Sequence, residues 1–397
     1  MQRPTPDASR ERPATRMSFA LVDDPAELPL LRRALASEPW LALDCEAAGF
    51  HRYSDRLCLL QISTSSATQI VDPLAFDPGD ALRGPLEDPA IEVLMHGADY
   101  DLRLLDRDLS VSLRGLFDTQ VAAALLGESS LGLAALLELH LGVKISKKFQ
   151  RADWARRPLP EDMLEYAASD TIHLRELADL LRARLDQAGR LTWALDECRF
   201  LEEARWESEP GDDLEDPVAR VRGARDLTPR EVAFLREALA WRDNIARARD
   251  KAPFRIAGNQ ALLEVVVRRP GTPDQLAEVR GFSRALASQE GQDLLERMAR
   301  VALLSDGEIV PYPRRAGTGT GRPAPDAEER ALRLKEVRNR RADELGIDRG
   351  TLLPNAVLFE IARLEPRSPD ELDMVPGLRH WQAEALGETL LATLNKR

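Results

Sequence analysis

An internal repeat constrains this chain more than any other feature of its sequence. Asn259–Leu276 aligns with Asn355–Leu372 without a gap, at an offset of 96, and the same offset brings Val279 onto Val375 and Gly281 onto Gly377. Both copies contain Thr/Ser-Pro-Asp (Thr272-Pro273-Asp274 and Ser368-Pro369-Asp370), a helix start with proline in the first turn. The second half is therefore expected to hold two copies of one small helical unit, at 227–302 and 327–397. Between them, 303–326 contains Pro311-Tyr-Pro-Arg-Arg-Ala-Gly-Thr-Gly-Thr-Gly-Arg-Pro-Ala-Pro, a Gly/Pro-rich linker.

Residues 18–205 carry a different pattern. Trp40-Leu-Ala-Leu-Asp-Cys-Glu, Leu57-Cys-Leu-Leu-Gln-Ile-Ser, Thr68-Gln-Ile-Val-Asp and Ile91-Glu-Val-Leu-Met-His-Gly are short apolar runs bounded by turn formers and read as strands. Helical spacing takes over in 101–105, 119–126, 133–141 and 160–185. Strands followed by helices predict an α/β layer domain. The Pro- and Arg-rich segment 1–17 reads as a disordered tail, and 206–226 as an acidic linker.

Composition removes several function classes. No apolar run approaches the roughly 18 residues needed to span a bilayer, so no membrane partner is expected. Cys45, Cys58 and Cys198 have neither metal spacing nor a disulfide framework, which leaves core packing in a reducing, cytoplasmic setting. A formal net charge of −12 argues against nucleic-acid binding when taken alone. Its distribution reverses that argument. Lys144, Lys147, Lys148, Arg151, Arg156 and Arg157 cluster against the single acid Asp153, whereas acids dominate 196–216.

Asp44 and Glu46 are two apart on a predicted strand, so both leave the same face. A buried strand that spends two such positions on acids is costly unless a cation compensates. Tyr166 and Asp170 stack four apart on a helix, and Asp101 falls near a helix start. Mg²⁺ prefers carboxylate and water oxygens, and two such ions can flank a scissile phosphate. Each fragment has an ordinary alternative: an exposed edge for Asp44 and Glu46, a surface pair for Tyr166 and Asp170, a cap for Asp101.

Taken in order, Leu43-Asp-Cys-Glu, Leu59-Leu-Gln-Ile, His96-Gly-Ala-Asp-Tyr-Asp-Leu, Phe117-Asp-Thr-Gln-Val-Ala-Ala-Ala-Leu-Leu-Gly and Tyr166-Ala-Ala-Ser-Asp closely resemble the ribonuclease D family, of the tyrosine subgroup of DEDD exonucleases. The repeats resemble HRDC domains, helical nucleic-acid-binding modules that this family carries in tandem. The resemblance implies a ribonuclease-H-like α/β exonuclease domain followed by two small all-α HRDC domains. It also implies a cytoplasmic, monomeric 3′-to-5′ exoribonuclease that trims RNA 3′ ends, notably precursor tRNA, and releases nucleoside 5′-monophosphates. Asp44, Glu46 and Asp170 would hold one of two divalent ions, Mg²⁺ or Mn²⁺; Asp44 would bridge to the second, which Asp101 would contact directly or through water, and Tyr166 would orient and help deprotonate the attacking water. Asp99 competes with Asp101, which is preferred because it directly precedes Leu102.

The chain departs from the family after Glu46, where Ala47-Ala48-Gly49-Phe50 replaces a pattern with an aromatic next to the acid. His51, Arg52 and Tyr53 are expected either to line the nucleotide pocket instead or to form an ordinary solvated loop. Lys147, Lys148 and Arg151 are expected to contact RNA, with Trp154 in the core. The basic first helices of the repeats, Arg242 and Arg247 among them, suggest phosphate contacts. Asp118 reads as a helix cap, and His96, His140 and His173 as packing or surface residues. Two rival readings are a DNA 3′-5′ exonuclease, separated only by contacts to the 2′-OH, and a non-catalytic nucleic-acid-binding scaffold, which would lack one or more of the carboxylates.

Overall fold

The computed structural model describes residues 19–206, 216–313 and 325–395; the expected tail and much of both linkers lie outside them. The first part runs β1 (Phe19–Val22), α1 (Leu28–Ala36), β2 (Trp40–Ala47), β3 (Leu57–Ser63), β4 (Thr68–Val71), α2 (Gly79–Glu87), β5 (Glu92–Met95), α3 (Asp99–Leu109), β6 (Leu116–Asp118), α4 (Thr119–Leu125), α5 (Leu133–Leu141), α6 (Glu161–Ile172), α7 (Leu174–Gln187) and α8 (Leu191–Leu201). Its six strands form one mixed sheet in the order β1-β4-β3-β2-β5-β6. The central strand β2 pairs antiparallel with β3 and parallel with β5. The expected single helix over 160–185 is broken at His173, because the helical period continues across a turn that the apolar spacing does not reveal.

Alternation along β2 sets both faces of the sheet. Leu41 and Leu43 are fully buried in the core beneath α2 and α3. Asp44 and Glu46 therefore leave the opposite face, toward α6. There Ala167 and Ala168 are fully buried, and their small side chains let α6 lie close to the sheet. The Ser63 hydroxyl is hydrogen bonded to those of Thr171 on α6 (2.7 Å) and Thr68 on β4 (2.8 Å), which pins the helix in place.

The remainder is helical: α9 (Pro229–Ala248), α10 (Pro253–Ile256), α11 (Asn259–Arg268), α12 (Pro273–Ala277) and α13 (Arg284–Leu303), then α14 (Pro325–Leu345), α15 (Arg349–Leu352), α16 (Asn355–Leu364), α17 (Pro369–Asp373) and α18 (His380–Leu394). The offset of 96 maps α10, α11 and α12 onto α15, α16 and α17 residue for residue. Gly281 and Gly377 both have positive φ, and a β-carbon would crowd Ala261 at 3.0 Å in the first unit and touch its equivalent Val357 at 3.4 Å in the second. Residues 216–226 belong to the first helical unit rather than to a linker, since Val218 and Ala224 are fully buried in its core.

Both units pack on the α/β domain. In the second, Trp381 stacks on Trp193 of α8 with ring centroids 5.3 Å apart, and its indole N–H donates to Glu197 at 2.9 Å. In the first, the corner between α9 and α10 meets the loop that leaves β2: the amide of Ala252 donates to the His51 carbonyl at 3.1 Å. Among the described residues no helix is long and apolar enough to cross a membrane.

Candidate active site

Asp44, Glu46 and Asp170 each offer an oxygen within 4.8 Å of the others, the one group of three potential metal ligands among the described residues. Two come from alternate positions of β2 and the third from the facing turn of α6. They border a cleft of about 350 Å³ with Tyr166, His96, Gln120, Lys147 and Gln150. Asp101, in the first turn of α3, lies close enough for its charge to raise both the Glu46 carboxyl and the Cys45 thiol. Asp99, by contrast, is exposed and pairs with Arg103 at 3.2 Å. Asp101 thus lies beside the cluster, outside the group of three and the cleft lining, whereas Asp99 faces solvent.

Asp118 explains how Asp101 is aimed. Its carboxylate accepts from the amides of Gln120 and Val121 at the start of α4 (2.7 and 3.2 Å), and also from Gly97 and Ala98 (3.0 and 2.7 Å). It is the expected cap, and it also ties down the turn that launches α3. Trp154 is buried as expected, and Tyr166 packs between it and Phe149 (ring centroids 6.1 and 5.8 Å).

The electrostatics are those of a site waiting for positive charge. Burial raises Asp44 to about 7. Burial, then repulsion from Asp44, raises Asp170 to about 8. Burial pushes Glu46 and Asp101 well up, with further repulsion from Asp44 in both cases. Among the described residues no cation offsets this for any of the four. Such a cluster stays charged at neutral pH only with a counter-ion, and an all-oxygen donor set suits a hard divalent ion. Gln61, paired with Asp44 across β2 and β3, supports this fit: its side chain is fully buried and neither amide atom has a hydrogen-bond partner. Burial, then the carboxylates, pushes the Tyr166 phenol up, which keeps it protonated while no cation offsets those charges.

Two positions at the site were not legible in the sequence. Gln61 lies in Leu59-Leu-Gln-Ile, but alternation along that strand does not show that it faces Asp44. His96 was expected to pack or lie at the surface; it borders the cleft, bonded to the Thr119 hydroxyl at 2.9 Å. Burial lowers its pKa and keeps it neutral.

The basic residues divide sharply. Lys147 borders the cleft. Lys148 is exposed and pairs with Asp162 at 2.8 Å. Arg151 is exposed, with its guanidinium 5.6 Å from the centre of the Phe50 ring. Arg157 is used internally, clasping Asp72 and the carbonyls of Cys58 and Trp154. Arg52 and Tyr53 do not border the cleft; they bind Asp250 and Asp243 of the first helical unit. Arg247 is exposed and donates to the Tyr53 hydroxyl at 3.0 Å.

Arg242, expected to meet phosphate, is engaged within its own unit. Its guanidinium is turned inward and donates to the Ala257 carbonyl (3.1 Å) and to Asn259 (2.7 Å). Arg338, its equivalent in the second unit, does the same to Leu353 and to Asn355 (2.5 and 3.0 Å) and is 3 % exposed. The repeated arginine closes each unit's α9–α11 or α14–α16 corner.

A mixed sheet presenting an acidic cluster beneath a Tyr-x-x-x-Asp helix, with two matching helical units behind it, defines a 3′-5′ exonuclease with tandem HRDC domains. Family models agree: one described as a 3′-5′ exonuclease matches residues 19–186, and the HRDC domain matches 231–297 and 327–394. Ribonuclease D of Gluconacetobacter diazotrophicus is 32% identical over 371 residues, covering 91% of this chain and 89% of that protein. Ribonuclease D of Granulibacter bethesdensis is 29% identical, covering 98% and 95%. The crystal structure of Escherichia coli RNase D, described as an exoribonuclease involved in structured RNA processing, superposes with a TM-score of 0.65 at 25% identity, covering 95% of this chain and 99% of that one. This chain belongs to the ribonuclease D family and is a 3′-5′ exoribonuclease.

Proposed function

We propose that the chain trims the 3′ ends of structured RNA, precursor tRNA among them, and releases nucleoside 5′-monophosphates through two divalent ions, Mg²⁺ or Mn²⁺. The observation that carries this reading is the set of oxygens from Asp44, Glu46 and Asp170 within 4.8 Å of one another, half-buried at the cleft and raised in pKa with no cation among the causes that act on them. Asp44, Glu46 and Asp170 would hold one ion, and Asp44 with Asp101 the other. Bound there, the ions supply charge neutralisation and a water of lowered pKa.

The protein's own groups do the positioning. Tyr166, protonated and held by its aromatic neighbours, donates a hydrogen bond that orients the attacking water in line with the terminal phosphate. Lys147 at the cleft wall, with Lys148 and Arg151 on the same loop, gathers the backbone phosphates. The structured-RNA preference rests on the likeness to the Escherichia coli enzyme. A monomer acting in the cytoplasm completes the reading. The test is digestion of a 3′-extended tRNA and a DNA strand of the same sequence by the full-length protein, with Mg²⁺, with Mn²⁺ and with chelator. Ion-dependent release of 5′-mononucleotides from RNA, faster than from DNA, is expected. Ion-independent release, or faster loss of DNA, defeats the proposal.

A further inference from the structure

Where the first helical unit meets the α/β domain, two aromatic rings are left in solvent. Phe50, on the loop leaving β2, is 40% exposed, and Phe254, in α10, is 52% exposed. Their centroids are 5.5 Å apart and their planes are inclined by 56°. Two exposed arginines flank Phe50 from different segments: Arg151 at 5.6 Å and Arg255 at 5.5 Å from its ring centre. The acids of the seam, Asp153 and Asp250, share the single guanidinium of Arg52 at 2.8 and 3.2 Å; its one charge offsets one of their two, and the two arginines that flank Phe50 exceed the remainder.

The patch is also held rigidly. The amides of His51 and Arg52 both donate to the Ala48 carbonyl at 2.9 Å, and Gly49 donates to Asp55 at 2.7 Å. The His51 ring donates to the Arg151 carbonyl at 2.9 Å, and Ala252 bridges from the helical unit to His51. Aromatic faces fixed beside guanidinium groups are what an unpaired nucleic-acid strand requires: bases stack on the rings while phosphates meet the arginines. Phe50 is four residues beyond Glu46, so the patch lies within about 14 Å of the carboxylate cluster along the chain.

We propose that Phe50 and Phe254, flanked by Arg151 and Arg255, form a stacking platform for unpaired RNA nucleotides just upstream of the 3′ terminus, assembled only when the first HRDC unit is docked. This rests on the cleft being the hydrolytic site. The platform gives the HRDC unit a role beyond general affinity, because it completes the path along which single-stranded RNA reaches the cleft. A strand still paired near its 3′ end cannot offer bases to the rings, so trimming slows where a duplex reaches the platform.

The test uses full-length Asp101→Asn protein and single-stranded RNA of about twelve nucleotides, within ordinary single-strand footprints. The RNA carries 2-aminopurine at successive positions from the 3′ end. Fluorescence quenching confined to one or two upstream positions is expected. In the same background F50L/F254L should abolish that quenching and weaken binding roughly five- to a hundredfold per stacked base, whereas F50W/F254W, which keeps aromatic faces, should retain both. R151Q/R255Q should flatten the log affinity–log salt slope by about 0.7 for each phosphate that the arginines no longer engage. Quenching that does not depend on position in the unsubstituted platform overturns the proposal without reliance on any platform variant, as does full-strength binding by F50L/F254L. Turnover by wild-type and Asp101→Asn proteins is followed in parallel: cleavage by the latter sinks the assigned metal site and leaves the binding result to judge the platform.

Discussion

The hydroxyl of Tyr53 donates to Asp243 at 2.9 Å, joining the loop that leaves β2 to the first helix of an HRDC unit 190 residues away. Arg247 of the same helix donates back to that hydroxyl and lies with its guanidinium 5.3 Å from the ring centre. The contact is half-buried and joins the α/β domain to the first helical unit, so its worth is measurable by a double-mutant cycle. Tyr53→Phe and Asp243→Asn should show a coupling of about 0.5–1.5 kcal/mol in chemical denaturation or in protection of the seam from proteolysis. Additive effects would mean that the domains dock without this bond.

Asp101→Asn should abolish turnover while keeping the fold and RNA binding, because Asp101 lies in the electrostatic field of Asp44 and Glu46. Asp99→Asn should keep most activity, since Asp99 is exposed and paired with Arg103. Single-turnover hydrolysis beside filter binding tests both. A dead Asp99 variant with an active Asp101 variant would reverse the assignment.

Tyr166→Phe leaves the ring between Phe149 and Trp154 and removes only the hydroxyl. Mn²⁺ binding by calorimetry should be preserved, while single-turnover hydrolysis falls by about 10²–10⁴. Hydrolysis near the wild-type rate would reduce Tyr166 to a packing residue.

The raised carboxyls make stability depend on pH in an unusual direction. Asp44 and Asp170 titrate at about 7 and 8 in the folded chain, above their ordinary value of 3.8. Between those limits the folded state binds more protons than the unfolded one, so without metal the stability should fall as pH rises from about 4 to about 8. Ion binding requires the deprotonated carboxylates, so Mn²⁺ affinity should rise over the same range and offset the loss. Thermal melts across pH, with chelator and with Mn²⁺, test this. A metal-free Tm that climbs from pH 5 to pH 8 would contradict it.

Arg338→Ala should cost about 2–3 kcal/mol, because charge-assisted bonds to Leu353 and Asn355 disappear inside the second unit. Arg242→Ala should lower stability in the same way through Asn259 and Ala257. Arg247→Gln should leave stability nearly unchanged, since its side chain is largely exposed. Urea denaturation of the three variants is the check. A silent Arg338→Ala would remove the structural role assigned to the repeated arginine.

What the sequence determined by itself was whatever local geometry imposes. A two-residue spacing on a strand put Asp44 and Glu46 on one face, a four-residue spacing on a helix stacked Tyr166 over Asp170, and the 96-residue offset announced two copies of one helical unit. The three-residue strand β6 was too short to show a period, and the turn at His173 left the helical pattern uninterrupted. Tertiary structure decided everything that depends on what a side chain meets. Arg242 and Arg247 lie on the same basic helix and look alike in composition, yet one is directed at the carbonyl of Ala257 and the other at Tyr53. Asp99 and Asp101 are likewise near neighbours separated only by facing solvent or the cluster. The pairing of Gln61 with Asp44 depends on the register between neighbouring strands, and the meeting of Phe50 with Phe254 joins segments 204 residues apart. Periodicity tells which face a residue leaves; burial, ion pairing and pKa depend on the atoms opposite that face, and those are supplied only when the chain folds.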